Sequence, residues 1–378
     1  MAKLRYIVFA CVAAVLCGCT GGGSAGKYTE PVYVPDYASG FDILREPDGE
    51  SMLIETRSPW QGADSAAVTR MLVLGEGESA PSDFDGQVLE APARRVVCMS
   101  SSHVAMLDAL GVADRIVGVS GIGFISNAYI RAHADSVADV GYDGNIDYEA
   151  LVGARPDLVL LYGVAGASTL EPKLRELGIP FAYIGEYLEE SPVGKAEWIV
   201  PVGEMVGLGR EARDFFAGVP DRYDEIKKLA ADAGRGPVVM INTPYADQWV
   251  MASSDSYVAR LIADAGGQYV YAGHPGNRSL PIDMEEALRL VSGADVWINT
   301  GMYDTLDGLR AAVPNLADTP PVRDGNVWNP SLRATDGGGN DYWESGVVNP
   351  DAVLHDLVNI FHPGLLPDST MIYYRRLQ

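Results

Sequence analysis

From Arg94 onward, short apolar runs alternate with stretches whose apolar residues recur at helical spacing. Runs of strand length are Val96–Met99, Ile116–Val119, Leu158–Tyr162 and Phe181–Ile184, with helical patterns at 102–110, 147–154 and 168–178 between them. This order predicts βαβ units and a parallel sheet buried on both faces. The alternation pauses over Ser191–Gly234, which is mainly helical. It resumes with Val238–Ile241, Trp249–Ala252, Tyr269–Ala272, Val296–Thr300 and Val327–Trp328, and a last helix is expected over 350–361. Residues 27–90 follow another rule. Patches such as "SMLIETRSPW" and "VTRMLVLGEG" are separated by turn residues and show no helical period, which predicts a small β extension.

Two segments repeat one another. "NIDYEALVGARPDLVLLYG" (145–163) and "PIDMEEALRLVSGADVWINTG" (281–301) each place Ile-Asp-x-Glu at a helix start. A helix, an aspartate and a buried strand ending in glycine follow. Asp147 and Asp283 are expected to cap their helices, with Glu149 and Glu285 in the first turn, where the helix dipole favours them. The chain is therefore expected to be α/β, with two Rossmann-like lobes built on mainly parallel central sheets and a β extension in front. Boundaries are expected at 1–18 (leader), 19–90 (tether and extension), 91–190 (first lobe), 191–235 (helical linker) and 236–378 (second lobe). Ligands of such sheets bind beyond the carboxyl ends of the strands, so two facing lobes make a cleft there.

The leader gives an address. Lys3 and Arg5 precede an apolar run, Tyr6–Leu16, too short to span a bilayer but suited to a signal peptide. It ends in Leu16-Cys17-Gly18-Cys19, which looks like a bacterial lipobox with Cys19 as the lipidated residue. "GGGSAGK" after it has the composition of a flexible tether. Periplasm or cell envelope is the expected location, with the lipid anchor as the only membrane attachment. Cys98 is the one cysteine left in the folded part, in an apolar run where an inert core thiol is expected. The net charge of −23 argues against nucleic acid as a partner.

Candidate chemistry is sparse. "VVCMSSSHVAMLDALG" sets Ser101, Ser102 and His103 where a strand meets a helix, as a nucleophile and base would be set. It lacks the glycines of a nucleophile elbow, and the Gly-x-Ser-x-Gly at 22–26 falls in the tether. The stretch fits better as a cleft floor, with a serine cap and helix-start N–H groups turned toward a ligand. His103, His133, His274, His355 and His362 form no short-spaced metal pattern, so no metal site is assigned. His103, His274 or a tyrosine could serve as an axial haem ligand. "GLGREA" (207–212) and "DGGGND" (336–341) read as turns rather than nucleotide loops. A hydrolase-like enzyme and a free-metal receptor stay open as alternatives, and no cofactor is assigned.

In order, "RRVVCMSSSHVAMLDALGVADRIVGVSG", "DVGYDGNIDYEALVGARPDLVLLYG" and Arg155-Pro156-Asp157-Leu158-Val159 resemble the iron-chelate and cobalamin substrate-binding proteins of ABC importers. The likeness covers roughly 92–362. The second repeat departs from it, reading Gly293-Ala294-Asp295-Val296-Trp297. The extension with "SPWQGAD" lies outside it. The resemblance implies a monomeric, non-enzymatic receptor for a ferric siderophore, haem or cobalamin, delivering to an ABC permease dimer. It implies one long linker helix over 211–232, although Pro220 would break or kink it. It also implies ligand-facing aromatics at Tyr162 and Tyr303, and docking glutamates at Glu285 and at Glu171, with Glu149 as the repeat-symmetric choice. Phe124, Tyr187, Tyr245, Tyr342 and Trp343 are further candidates for flat ligand contact. Arg278 and Arg333 are candidates for anionic chelate oxygens.

Overall fold

The computed structural model describes residues 24–244, 248–276, 278–301 and 303–378. The leader and Cys19 lie outside the described residues, as does Tyr245. Most of the apolar runs become strands; the run Tyr269–Ala272 contributes only Tyr269 to a strand, Gln268–Tyr269, and turns from Val270 to Ala272. The first-lobe sheet runs Phe181–Tyr183, Leu158–Leu161, Val96–Cys98, Ile116–Val119 and Ala138–Asp139 in spatial order, all parallel. Two of its three inner strands, 158–161 and 96–98, are wholly buried, which is why they read as continuous apolar runs and not as alternation. The second-lobe sheet runs Gln268–Tyr269, Val238–Ile241, Val296–Ile298 and Val327–Asn329, all parallel, then Arg375–Arg376 antiparallel at the edge. An antiparallel pair, Trp249–Ala252 with Ser279–Ile282, stands apart from it.

The repeat is structural. Asp147 accepts from the Ala150 N–H and Asp283 from the Glu286 N–H, each capping the helix that precedes a central strand. Asp157 then accepts from the N–H groups of Arg94 and Arg95, both at 2.9 Å. Asp295 does the same for Val238 at 2.8 Å. In both lobes, an aspartate at the start of one strand pins the start of its neighbour.

The linker departs from the expected single helix. Pro192–Glu197 and Ile199–Met205 are two short buried helices, and Gly209–Ala217 is followed by Val219–Asp232. Gly218 separates the last two, and Pro220 sits in the first turn of the second. A first-turn proline has no intrahelical N–H bond to lose, so the expected kink is resolved as a helix boundary.

The extension is a five-stranded sheet of Glu30–Tyr33, Phe41–Arg45, Met52–Arg57, Val68–Val73 and Gln87–Leu89. Ile43, Ile54 and Met71 are register neighbours across three strands and face the main core, whereas Leu53 and Leu72 face the other side with Tyr28. Two buried carboxylates fix it to the linker. Glu197 accepts from the Tyr33 hydroxyl and from the N–H groups of Asp36, Tyr37 and Ala38 at 2.6–2.8 Å. Glu189 accepts from the Ser39 and Gly40 N–H groups and from the Trp198 indole. Buried charges need such donors. Gly40 is required here, because a Cβ would fall 2.5 Å from the Trp198 ring. The Thr56 hydroxyl donates to the Tyr183 carbonyl at 3.2 Å, so the extension covers the edge strand of the first sheet.

Candidate ligand cleft

The carboxyl ends of the two sheets face each other, and several segments meet across the gap. The Ser126 N–H donates to Glu344 Oε2 at 2.9 Å, and Ser101 Oγ lies 3.5 Å from the Trp343 carbonyl. Glycine permits the closest approach, since a Cβ on Gly337 would fall 2.4 Å from the Gly123 carbonyl oxygen. On the far side, Arg260 of the second lobe pairs with Glu190 at 2.7 Å. Glu344 is almost fully buried, and burial pushes its carboxyl up to about 7 against the pull of the Ser126 N–H.

The "SSSH" stretch divides. Ser100 caps helix Ser101–Ala109 by accepting from the Ser102 N–H. Ser101 is half-buried at the surface of the cleft. Ser102 and His103 point into the interior, which corrects their expected place on the cleft floor. The Ser102 hydroxyl donates to Glu186, a buried carboxylate that shares its environment with buried Lys195. His103 has 0% exposure, and burial pushes its pKa down to about 3, so the ring is neutral. The physical reason is that residues 102–107 of this helix are all buried, packed against the sheet, the linker helix Ile199–Met205 and the second-lobe helix Ser345–Val348. A base here could not reach a substrate.

Two tyrosines lie at the end of strand 158–161. The rings of Tyr162 and Tyr187 meet edge-on at 6.3 Å. The Tyr187 hydroxyl donates to the Gly163 carbonyl at 2.8 Å and accepts from the Gly163 N–H at 3.2 Å. Burial raises both phenols, Tyr187 to about 12. Phe124 is 60% exposed, in contact range of the 338–339 backbone. From the second lobe, Trp343 is 54% exposed. Tyr342 is buried beneath it, edge-on to Trp343, Tyr373 and Tyr374. Tyr342 is thus a core residue supporting Trp343, which corrects its ligand-facing assignment; adjacent residues of a turn point opposite ways.

Arg333 is exposed, 3.1 Å from Asp341, with its guanidinium over the Tyr373 ring. Tyr303 is half-buried, and Asn329 donates to its carbonyl. Arg278 is exposed on the turn leading into strand Ser279–Ile282, where its carbonyl accepts from the Ser253 N–H. The structure thus gathers Ser101 with Trp343, Phe124 with the glycine turn, and Tyr162 with Tyr187. Arg278 and Tyr303 sit on separate second-lobe loops.

Of the docking candidates, Glu171 is engaged within its own lobe: Oε1 accepts from Arg175 and Oε2 from the Tyr183 hydroxyl, both at 2.8 Å. Glu149 and Glu285 are exposed in repeat-related first turns. Among the described residues, no cluster of three or more His, Cys, Asp or Glu could hold a metal. No helix among them is long and apolar enough to cross a membrane.

Sequence reasoning missed Trp60, Gln61, Glu186, Lys195 and Glu344. A tryptophan amid turn residues in "SPWQGAD" was the available signal for the first two. The buried charges carried none. A partly open cavity of about 100 Å³ lies between the extension and strand 181–183, lined by Ile54, Met71, Phe181, Tyr183 and Trp198. It is too small for a ligand of the size that fills pockets of about 300–1,000 Å³. A wider, open depression of about 720 Å³ lies on the first-lobe surface between Asp139 and Glu149.

Comparison with known proteins agrees with this architecture. The model of the periplasmic binding protein family matches residues 96–329. An uncharacterised lipoprotein of Methanocaldococcus jannaschii is 27% identical over 288 residues, 73% of this chain and 67% of the relative. A cobalamin-binding protein of Halobacterium salinarum is 26% identical over 228 residues, 60% of this chain and 58% of the relative. Among solved structures, a periplasmic haem-binding protein of Pseudomonas aeruginosa superposes with a TM-score of 0.57 at 19% identity. It covers 74% of this chain and 96% of its own.

Proposed function

The chain belongs to the periplasmic binding protein family, and from that premise we propose that it is the lipid-anchored receptor of an ABC importer. Membership makes it a binding component of transport and not an enzyme. Its ligand is an iron chelate (ferric siderophore or haem) or cobalamin, held between the lobes and passed to a permease dimer. The observation that carries this reading is the set of exposed or half-exposed aromatics from both lobes, Phe124 and Tyr162 from the first and Trp343 from the second, with Ser101 in contact with the Trp343 carbonyl. Flat rings with polar tips suit a large, partly polar ligand. The cobalamin-binding relative and the haem-binding structure support the ligand class.

Cys19 carries the anchor, and 19–90 combine the tether with a fixed β extension. Residues 91–190 and 236–378 are the two lobes, and 191–235 link them. Glu285 docks to the permease in the second lobe. Glu149 replaces Glu171 as its partner, because it is exposed and repeat-symmetric while Glu171 is held by Arg175 and Tyr183. Arg333 and Arg278 supply charge toward anionic oxygens, and the receptor acts as a monomer.

The test is isothermal titration with haemin, cyanocobalamin, a ferric trihydroxamate complex and free ferric ion in parallel. One chelate or corrin is expected to bind below roughly 10 μM, about −7 kcal/mol. Tight binding of the free ion alone would replace this reading with a metal receptor.

A further inference from the structure

The β extension lies outside the family's matched residues, 96–329, yet one of its loops ends at the cleft. Strands 52–57 and 68–73 are joined by the turn that carries "SPWQGAD". The turn is braced internally: the Ser58 N–H donates to the Ala67 carbonyl at 2.9 Å and the Ala67 N–H to the Asp64 carbonyl at 2.8 Å. Ser58 itself is held at φ 45°, a left-handed conformation that a side chain adopts only when its surroundings enforce it.

Its tip is seated on the residue after Tyr162. The Gln61 N–H donates to the Gly163 carbonyl at 2.8 Å, the same oxygen that receives the Tyr187 hydroxyl. The Trp60 ring packs on Tyr183 at 5.3 Å. Gly163 must be glycine for this seat, because a Cβ there would stand 2.6 Å from Trp60 Cβ and 2.3 Å from the Gly166 carbonyl. Trp60 is half-buried and Gln61 is exposed. A loop from outside the lobe thus fixes the backbone that follows Tyr162 and presents the exposed Gln61 side-chain amide, which has no hydrogen-bond partner among the described residues.

Resting on the cleft reading above, we propose that this extension loop is part of the ligand-recognition wall. Gln61 is a specificity-determining contact and Trp60 a positioning residue for Tyr162 and Gly163. An amide that can both donate and accept suits the polar periphery of a chelate: a propionate, a hydroxamate oxygen or a corrin side-chain amide.

The experiment compares wild type, Q61A, W60A and W60F by isothermal titration against haemin, cyanocobalamin and a ferric trihydroxamate complex, with melting temperature as the control. Q61A is expected to weaken the preferred probe about five-fold or more, with unchanged melting, and to alter the ratio of affinities between probes. W60A is expected to lose about ten-fold, and W60F to recover most of it. Wild-type affinities in both Q61A and W60A would overturn the inference. So would a W60A loss shared equally by all probes while Q61A changes nothing. Failure of wild type itself to bind any probe would instead sink the cleft reading, and the inference with it.

Discussion

The two repeat-related strands, 158–161 and 296–298, begin alike and end differently. At their amino ends Asp157 and Asp295 perform one task, accepting from the first N–H groups of the neighbouring strand. At their carboxyl ends the first lobe presents Tyr162-Gly163, clamped by Tyr187, Trp60 and Gln61. The second presents Asn299 at φ 59°, which accepts from the Tyr374 hydroxyl, and Gly301, whose carbonyl accepts from Asn329. The scaffold end of the unit is duplicated and the ligand end is individual. One lobe draws its reinforcement from an added domain, and the other from its own C-terminal segment.

The largest expected effect comes from detaching that added domain. Glu197→Ala leaves three backbone N–H groups and the Tyr33 hydroxyl without their acceptor in a half-buried joint. A loss of about 3–5 kcal/mol is expected in urea unfolding, the range of a lost charge-assisted network. A loss under about 1 kcal/mol would mean that the extension is held by apolar contact alone.

Next is the carboxylate where the lobes touch. The folded-state pKa of Glu344, about 7, lies above its ordinary value of 4.5, so the folded state binds more protons between those values. Its contribution to stability therefore falls as pH rises from about 4.5 to 7. Relative to Glu344→Gln, which keeps an acceptor for the Ser126 N–H, wild type is expected to lose up to about 3 kcal/mol across that window. Urea midpoints measured from pH 4.5 to 8 read it, and parallel curves for the two proteins would refute it.

The smallest effect sharpens the repeat itself. Asp157→Ala releases two N–H groups and Asp295→Ala one. Costs of about 2–3 and about 1–2 kcal/mol are expected, in that order. A reversal in chemical denaturation would mean that the two aspartates do not do equivalent work.

The fold was legible because its signals are local. Buried parallel strands give unbroken apolar runs, and Asp147 and Asp283 announce helix starts by their position alone. In the linker, Pro220 marked the break but not its form: the same residue kinks a helix interior and opens a new helix, and here it does the second. The site was less legible, since direction is set by tertiary packing. Ser102 and His103 sit beside Ser101 in sequence but turn inward, because only the first residue of that helix reaches the cleft and 102–107 are packed on every side. Tyr342 and Trp343 are adjacent, and only the second reaches solvent. Glu344 and Glu186 gave no signal, because a buried carboxylate is spelled like an exposed one. The Trp60 contact spans about a hundred residues to Gly163, and no periodicity could connect them.

The central claim is that ligand is held between the strand ends of the two lobes. Hydrogen–deuterium exchange with and without the best-bound of haemin, cyanocobalamin and the ferric trihydroxamate tests it directly. Ligand-dependent protection is predicted in peptides covering 60–64, 120–126, 162–167 and 185–190 of the first half and 330–344 of the second, together. Protection confined to one lobe, or found only on surfaces such as 139–149, would contradict the account.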